Sequence, residues 1–489
     1  MTWTDPSTVP PPPPTGADIL RKAPKWVQAL LATLGAVWVI IILAMLFSGS
    51  FNLLGFVVQL PLLTLITIPI AKRIARSDRD PEQVWFVMAA FAAKMLGALA
   101  RYYFTYVAYV SAGDAEEYDA SGRFLAPMYR SFNFSYDVGQ VPGTGFLKFA
   151  TGVLYSVVGS SKLGAFMVFS WLGFIGLLCC WRAFKRAVPT GDARRYALLV
   201  LFLPSLLYWS SALGKDAWSV MGLGICSYGV ARVMTRKIPS GLIILALGLA
   251  AVTMVRPHVA LVVGAGLVLA AMLYKPQKKS PLNPIVRVIT FGLLLAMMLI
   301  LISQTETFLG VENLDQETVN SQLARAEGRT VDAGSTFTPV HVNTPLDLPY
   351  ATLTVLFRPF PWEAHNSQSV ATALESLFLI VLTIRGWRRL WSIPRELRRS
   401  AYTAYCLGIL LTFVYAFSSF SNFGILARQR CQVMPFFLAL ICLEQFRKKD
   451  EPARPFGASG DVSMLAPPPE NPYARFGSGT DDARSDEHG

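Results

Sequence analysis

Long apolar runs, separated by short polar loops, dominate the pattern of this 489-residue chain. A helix needs about 20 apolar residues to cross a bilayer, and runs of that order recur from near the N-terminus almost to the C-terminus. The pattern predicts an all-α, polytopic membrane protein with about 12 transmembrane helices. We expect the spans at approximately residues 28–48, 51–71, 84–110, 163–181, 196–213, 217–234, 241–255, 258–274, 286–303, 371–390, 401–420 and 425–443.

Lys and Arg residues concentrate in alternate loops, which predicts the orientation of the spans. Cytoplasmic loops of membrane proteins carry an excess of Lys and Arg. The cation-rich segments are residues 71–82, 181–195, 232–237, 275–279, 385–399 and the stretch from Arg447. We therefore expect a multi-pass protein of the cell membrane, surrounded by membrane lipids, with both termini cytoplasmic.

Two segments on the predicted outer side are long, at residues 111–162 and 304–370. The apolar stretch from Phe146 to Val158 is too short to cross and predicts a helix that lies on the outer leaflet. A long loop in a compact protein is usually functional. We expect these two loops to form an outer-face cavity.

The remaining organisation is simple. Residues 27–449 form the predicted transmembrane domain, residues 1–26 a disordered, Pro-rich cytoplasmic tail, and residues 450–489 a disordered cytoplasmic tail. The net charge of +13 suggests nucleic acid as a partner, but the cations lie in short loops between apolar spans, which argues against it. The six cysteines show no CxxC or Cys/His spacing, so neither a disulfide framework nor a zinc site is indicated.

An acidic cluster opens the first long outer segment, with four carboxylates in the six residues 114–119. On a helix Asp114 and Glu117 share a face, so the pair is our candidate catalytic site. One of them can act as general base for a hydroxyl acceptor, or the pair can hold Mg²⁺ or Mn²⁺. A solvated loop whose acids cap the next helix explains the cluster equally well. Glu116 and Tyr118 are candidate substrate-binding residues.

Cations at the outer ends of later spans are further candidates for substrate binding. Gly214 is followed by Lys215, which can bind an anionic lipid headgroup, and by Asp216, which can orient it. An aromatic belt with a surface turn explains this segment too. Arg256 joins two spans with almost no loop and can bind phosphate or simply extend to the interface. His258 lies just after it and is more often structural than catalytic.

Arg428 and Arg430 open the last predicted span on the outer side, where the charge rule disfavours cations. That position requires an anionic partner, either a phosphate or the carboxylates of the first outer loop. Residues two apart diverge on a helix, so one arginine can face a ligand and the other a protein acid. Arg358, in an aromatic and Pro-rich segment, is a candidate for a sugar site or for an interfacial anchor.

The order of these motifs resembles the GT-C superfamily of membrane glycosyltransferases, including the polyprenyl-phosphate-sugar-dependent mannosyl- and arabinosyltransferases. The resemblance covers roughly residues 84–275. It is carried by the Gly-Asp-x-x-x-Tyr-like motif, Gln140-Val141-Pro142-Gly143-Thr144-Gly145, Leu154-Tyr155-Ser156-Val157-Val158-Gly159-Ser160-Ser161, Pro204-Ser205-Leu206-Leu207-Tyr208-Trp209-Ser210 and Arg256-Pro257. The chain departs from the family in having more spans before the acidic loop, and a lysine at position 215.

The resemblance implies a membrane glycosyltransferase that uses a polyprenyl-phosphate-linked sugar donor on the extracytoplasmic face. The acceptor would be a cell-envelope glycan or lipid. Asp114 would be the catalytic base or a metal ligand, and Arg256 and Arg428 would bind the donor phosphate. Two alternatives remain open. The first is a polymerase or ligase of lipid-linked polysaccharide, because the second long outer loop resembles the large periplasmic loops of such enzymes. The second is a transporter or flippase of lipid-linked sugar.

Overall fold

The structure is a computed structural model of the whole chain, and it describes the residues from 51 to 445 with six gaps. The described ranges are 51–108, 113–235, 237–273, 283–331, 337–342, 344–364 and 367–445, together with a few helical positions between 33 and 44. The predicted tails at 1–26 and 450–489 lie outside these residues, as does most of the predicted first span at 28–48.

Within the described ranges the fold is all-helical, with no regular β-strand. The α-helices are α1 (Phe51–Asp78), α2 (Gln83–Tyr103), α3 (Asp114–Arg130), α4 (Thr144–Val158), α5 (Lys162–Ala187), α6 (Ala193–Phe202), α7 (Pro204–Tyr208), α8 (Lys215–Met234), α9 (Ile238–Thr253), α10 (Pro257–Leu273), α11 (Asn283–Leu309), α12 (Gln316–Val331), α13 (Leu348–Phe357), α14 (Ser367–Arg385), α15 (Trp387–Leu390), α16 (Ile393–Arg399), α17 (Ala401–Phe417), α18 (Phe423–Arg430) and α19 (Met434–Ile441). A π-helical turn, Phe104–Ala108, extends α2.

Five of the described helices are long and apolar enough to cross a membrane. They are Phe51–Asp78, Gln83–Ala108, Lys162–Ala187, Val288–Leu309 and Gln368–Arg385. Shorter apolar helices are Thr144–Val158, Ile238–Thr253, Pro257–Leu273 and Ala401–Phe417. The predicted all-α membrane class is confirmed at this level, and helices cover every predicted span from the second onward.

Three of the predicted spans are interrupted rather than continuous helices. One of them, predicted at 371–390, divides between α14 and α15 at Gly386. In the span predicted at 196–213, α6 ends before Leu203, whose extended ψ of 127° breaks the helix at Pro204. A proline disfavours helical geometry in the residue before it, which explains the break. The span predicted at 425–443 divides between α18 and α19.

The broken segment after α6 is fixed in place by Lys94, a fully buried lysine of α2. Its ammonium donates to the carbonyl of Leu206 at 2.7 Å and to the Ser210 hydroxyl at 2.6 Å. Non-helical backbone at membrane depth needs such partners, because lipid cannot satisfy its polar groups. The lysine thereby stabilises the chain that leads to Gly214 and α8.

Helices α5 and α8 cross closely at the centre of the bundle. A Cβ added at Gly224 would lie 2.0 Å from the carbonyl oxygen of Gly176, and one added at Gly176 would lie 2.3 Å from that of Val220. Small residues let membrane helices approach each other in this way. The crossing places the start of α8, with Lys215 and Asp216, next to the other residues of the site.

The first long predicted loop is largely helical, because it forms the packed pair α3 and α4. Asp119 is the buried polar centre of this pair: it accepts hydrogen bonds from the Tyr155 hydroxyl at 2.5 Å and from Arg123 Nε at 2.9 Å. The predicted helix at 146–158 is present as α4. The pair holds the first residue of α3, Asp114, at its site.

Candidate functional site

Four helices bring charged residues together in a single cluster: three contribute their N-termini, and the fourth contributes an arginine side chain. Helix α3 begins at Asp114 and α8 begins at Lys215, followed by Asp216. Helix α10 begins directly after Arg256, and α18 carries Arg428. Helix N-termini carry a partial positive charge, so their convergence favours anions at this point.

Asp216 is the buried carboxylate that organises the cluster. Its Oδ1 accepts a hydrogen bond from Arg256 Nη2 at 2.8 Å, and its Oδ2 accepts one from Arg428 Nε. Burial by itself raises the pKa of the Asp216 carboxyl, but the charges of Arg428 and Arg256 outweigh burial and leave the pKa below its usual value. Asp216 therefore stays ionised and fixes two guanidinium groups in defined positions.

Asp114 is the second carboxylate of the cluster, and it is accessible. Its Oδ2 lies 3.3 Å from Arg428 Nη2, and its side chain is 55% exposed. Arg428 thus bridges the buried carboxylate of Asp216 and the accessible one of Asp114. This arrangement orients the Asp114 carboxylate while leaving it open to a ligand.

A cavity of about 570 Å³, which we call the main cavity, opens at the cluster. Its polar lining includes Asp114, Lys215, Arg256, His258, Thr305, Gln322, Arg325, Arg428 and Gln429. Its apolar walls include Val255, Leu261, Val262, Phe308, Leu309, Leu314, Val319, Leu323, Ala416, Phe417 and Phe420. The volume falls within the range of ligand pockets, about 300–1,000 Å³.

Several polar atoms at the main cavity have no protein partner. Arg256 Nη1, His258 Nδ1 and Gln322 Nε2 are buried atoms without a hydrogen-bond partner among the described residues. Buried polar groups are normally satisfied, so three such atoms on one cavity indicate that a ligand or water satisfies them. The arrangement fits a ligand that carries acceptor oxygens.

The charge balance of the main cavity also favours an anion. Four cations line it, and only Asp114 among the carboxylates does so, with Asp216 buried behind the arginines. Burial, and then the nearby charge of Arg256, lower the pKa of the Lys215 ammonium below its usual value. Bringing an anion to this lysine would offset both effects.

A second, small cavity of about 70 Å³ adjoins the same cluster. It shares Asp114 and Arg428 with the main cavity, whereas its other walls include Arg101, Phe166 and Leu213. The Asp114–Arg428 pair therefore separates two spaces with different walls, and both spaces reach the Asp114 carboxylate.

The structure brings six of the predicted site residues together and places the others elsewhere. Those at the cluster or on the main cavity are Asp114, Lys215, Asp216, Arg256, His258 and Arg428. Of the acidic motif, Glu116 pairs with Lys162 at 2.5 Å and Glu117 pairs with Lys148 at 2.7 Å. Tyr118 is buried beneath the cluster, where burial and the charge of Asp114 raise the pKa of its phenol.

The other two predicted arginines are bound by protein groups and line none of these cavities. Arg430 is fully buried and donates to the carbonyls of Leu356 at 2.6 Å and Arg358 at 3.2 Å, and to the Ser376 hydroxyl at 3.1 Å. Arg358 pairs with Glu363 at 3.2 Å. These contacts hold α13 and α14 against α18, which is a structural role.

The acidic pair does not fit the predicted Mg²⁺ or Mn²⁺ site. Asp114 contacts Arg428, and Glu117 contacts Lys148, so each carboxylate already faces a protein cation that would repel a metal ion. No group of three or more His, Cys, Asp or Glu side chains with metal-binding geometry occurs in the described ranges. Hard divalent cations need several oxygen ligands, which this pair alone does not supply.

Sequence reasoning missed several polar residues at the site, among them Thr305 and Gln429 on the main cavity. Gln322 and Arg325 reach the main cavity from α12, within the second long predicted loop, and Arg101 reaches the small cavity from the end of α2. The signal for Arg101 was its charge near the end of an apolar span, since such charges are usually functional. No local pattern distinguishes Gln322.

No protein-family model, curated protein or solved structure matches this chain. What the site can do chemically follows from the geometry of the cluster and its cavities. Their combination of an accessible carboxylate, several fixed cations and apolar walls is suited to an amphiphilic anion and to proton transfer beside it.

Proposed function

We propose that this chain is a membrane glycosyltransferase that moves a sugar from a polyprenyl-phosphate donor to a cell-envelope glycan or lipid. The observation that carries the proposal is the main cavity, where Asp114 stands beside Lys215, Arg256 and Arg428 against apolar walls. A lipid-linked phosphosugar combines an anion, hydroxyl groups and a hydrocarbon chain. Each of these has a matching surface in the cavity.

The donor phosphate binds to the cations of the cluster. Arg256 has one free buried nitrogen, Nη1, and Arg428 and Lys215 line the same space. A guanidinium held by a carboxylate is pre-oriented, so it loses little freedom when it binds phosphate oxygens. Asp216 provides that orientation for both arginines. The polyprenyl chain of the donor lies along the apolar wall formed by Leu261, Val262 and Phe417.

Asp114 is the catalytic base. Its carboxylate takes the proton of the acceptor hydroxyl as the oxygen forms a bond to the anomeric carbon of the sugar. The bond from that carbon to the phosphate oxygen breaks, and the electron pair leaves with the phosphate. The cations stabilise the charge that develops on the leaving group, which is usually the largest catalytic contribution. The transfer inverts the anomeric centre.

The proposed topology has about 12 spans with both termini cytoplasmic and the cluster on the extracytoplasmic face. The excess of Lys and Arg in alternate loops supports this orientation. The resemblance to the GT-C superfamily supports the same arrangement, because its acidic motif matches the residues that begin α3.

A donor-turnover assay tests the proposal. The purified protein is placed in liposomes with a polyprenyl-phosphate-linked sugar, and release of free polyprenyl phosphate and glycosylation of added acceptors are measured. We expect release in the wild type and a loss of about 100-fold or more in Asp114→Asn, which keeps size but removes the base. The exposed acid Asp137, in the loop between α3 and α4, gives the matched control Asp137→Asn.

Other outcomes of this assay would support other functions. Movement of the lipid-linked sugar across the bilayer without release of polyprenyl phosphate would identify a flippase and refute the transferase. A polymerase or ligase has one observation in its favour, because α12 of the second long loop lines the main cavity with Gln322 and Arg325. Products that grow by several lipid-linked repeat units, rather than by one sugar, would identify that activity.

A further inference from the structure

A third cavity, which we call the lateral cavity, lies between two helices that are long and apolar enough to cross a membrane. Its volume is about 220 Å³. The end of the Gln83–Ala108 helix contributes Phe104, and the Gln368–Arg385 helix contributes Ala371 and Thr372. The broken segment after α6 contributes the rings of Tyr208 and Trp209.

The lateral cavity is placed to open toward lipid. Phe104 on one side is 39% exposed, and Leu374, next to the cavity on α14, is 61% exposed. Large apolar side chains that are exposed on such helices face hydrocarbon in a bilayer. The rings of Phe104, Tyr208 and Trp209 give the lateral cavity a largely apolar lining, in which Glu375 and Ser205 are the buried polar residues. A hydrocarbon chain fits the aromatic part of this lining.

A cation links the lateral cavity to the catalytic cluster. The Arg101 guanidinium lies 4.9 Å from the ring centroid of Tyr208 and 4.6 Å from that of Trp209, and both rings line the lateral cavity. Arg101 also lines the small cavity, together with Asp114. Its Nε is buried and has no hydrogen-bond partner among the described residues. Arg101 thus offers a donor group between the hydrocarbon site and the proposed base.

We propose that the lateral cavity binds the acceptor, and that the acceptor is a membrane lipid with an anionic, hydroxyl-bearing headgroup. The acyl chain of this lipid packs on the rings of Tyr208 and Trp209, and its anionic group binds Arg101. The hydroxyl of its headgroup reaches Asp114 through the small cavity. This inference rests on the proposed function, because it assigns the acceptor of that reaction.

The main cavity and the small cavity reach Asp114 separately, and this separation fits an inverting transfer. Inversion requires that the attacking oxygen and the leaving group lie on opposite faces of the sugar ring. The donor phosphate binds in the main cavity, and the acceptor comes through the small cavity, whose walls differ apart from Asp114 and Arg428. The shared carboxylate lies at the boundary where the proton is transferred.

Photo-labelling in nanodiscs tests the site without any donor. The probes are phosphatidylinositol and phosphatidylcholine, each with a diazirine at the end of one acyl chain, and the labelled peptides of α14 and of residues 204–214 are quantified by mass spectrometry. We expect phosphatidylinositol to label these peptides about tenfold more than phosphatidylcholine, which corresponds to about 1.4 kcal/mol of headgroup preference. Arg101→Gln should make the two probes equal.

A pair of variants on one helix controls for the cavity itself. Ala371→Trp fills the lateral cavity and should remove the preferential labelling, while Leu374→Trp adds the same ring on the neighbouring lipid face and should preserve it. Thr372→Phe fills the same space if Ala371→Trp does not fold. Equal labelling by both probes in the wild type would mean that ordinary bilayer lipid fills the cavity, and would overturn the proposal.

The two proposals fail separately. Selective labelling by phosphatidylinositol in a protein that never consumes the donor would refute the glycosyltransferase and, with it, the acceptor role of this lipid. Donor turnover in a protein that labels equally with both probes would refute the acceptor site alone.

Discussion

Removing the Asp216 carboxylate should destabilise the protein strongly, because two arginines depend on it. The Arg256 side chain is only 7% exposed, and Asp216 is its one ion-pair partner in the described ranges. The Arg428 side chain is 30% exposed and retains Asp114 as a second partner. Deleting one partner of a buried ion pair costs about 3–5 kcal/mol, because the other charge remains buried.

We therefore expect Asp216→Ala to lower the free energy of unfolding by about 3 kcal/mol, at the lower end of that range because Arg428 is partly hydrated. Asp216→Asn should cost less, since its amide oxygen still accepts a hydrogen bond from Arg256. The assay is equilibrium unfolding in mixed micelles titrated with a denaturing detergent. Glu82→Ala is the control, because Glu82 is exposed and its side chain does not cap α2.

A double-mutant cycle tests the assignment directly. Asp216→Ala and Arg256→Ala should be less than additive by about 1–3 kcal/mol, as expected for residues in contact. A cost of less than about 1 kcal/mol for Asp216→Ala, or strict additivity with Arg256→Ala, would refute the view that this buried pair organises the cluster.

The same carboxylate predicts a dependence of stability on pH. The pKa of Asp216 in the folded protein lies below its usual value, so ionisation of this group favours the folded state. Its contribution is complete above the unfolded pKa of about 3.9 and is lost as the pH falls through the lower, folded pKa. Between pH 7 and pH 5 the difference in stability between wild type and Asp216→Asn should therefore be constant.

The remaining predictions concern the roles of the other acids, the two arginines and the topology. Glu117→Gln should keep donor turnover within about threefold of wild type while Asp114→Asn loses about 100-fold, and equal losses in both would contradict the choice of Asp114 as base. Arg428→Lys retains the charge but loses the two-nitrogen fork, so the KM for the donor should rise; Arg430→Lys should instead lower the melting temperature without changing that KM. A membrane-impermeant thiol reagent should label Ser135→Cys in intact cells and leave Glu82→Cys unlabelled, and the reverse pattern would contradict the proposed orientation.

The sequence alone was sufficient for the class of fold, because hydrophobic length and periodicity are local properties. The apolar run from Lys162 to Ala187 predicts one long helix, and the structure has it as α5. The short run ending at Val158 was correctly expected to form a separate, shorter helix. Local chemistry also pointed to Asp114 and Arg428, since charges beside an apolar span are costly without a partner.

The partner of each charge was decided only by tertiary structure. Arg428 and Arg430 are two residues apart, yet one lines the main cavity and the other is enclosed by backbone carbonyls, because opposite sides of α18 face different neighbours. The acids of one short motif separate in the same way, toward Arg428, Lys162 and Lys148.

Long-range contacts also built the parts of the site that no motif contains. The Asp216–Arg256 pair joins residues 40 apart, and the pairing of Arg428 with Asp114 spans 314 positions. A sequence pattern reports the cost of placing a charge near hydrocarbon. Which opposite charge offsets that cost depends on how the helices pack, and that packing brings α3, α8, α10 and α18 to one cavity.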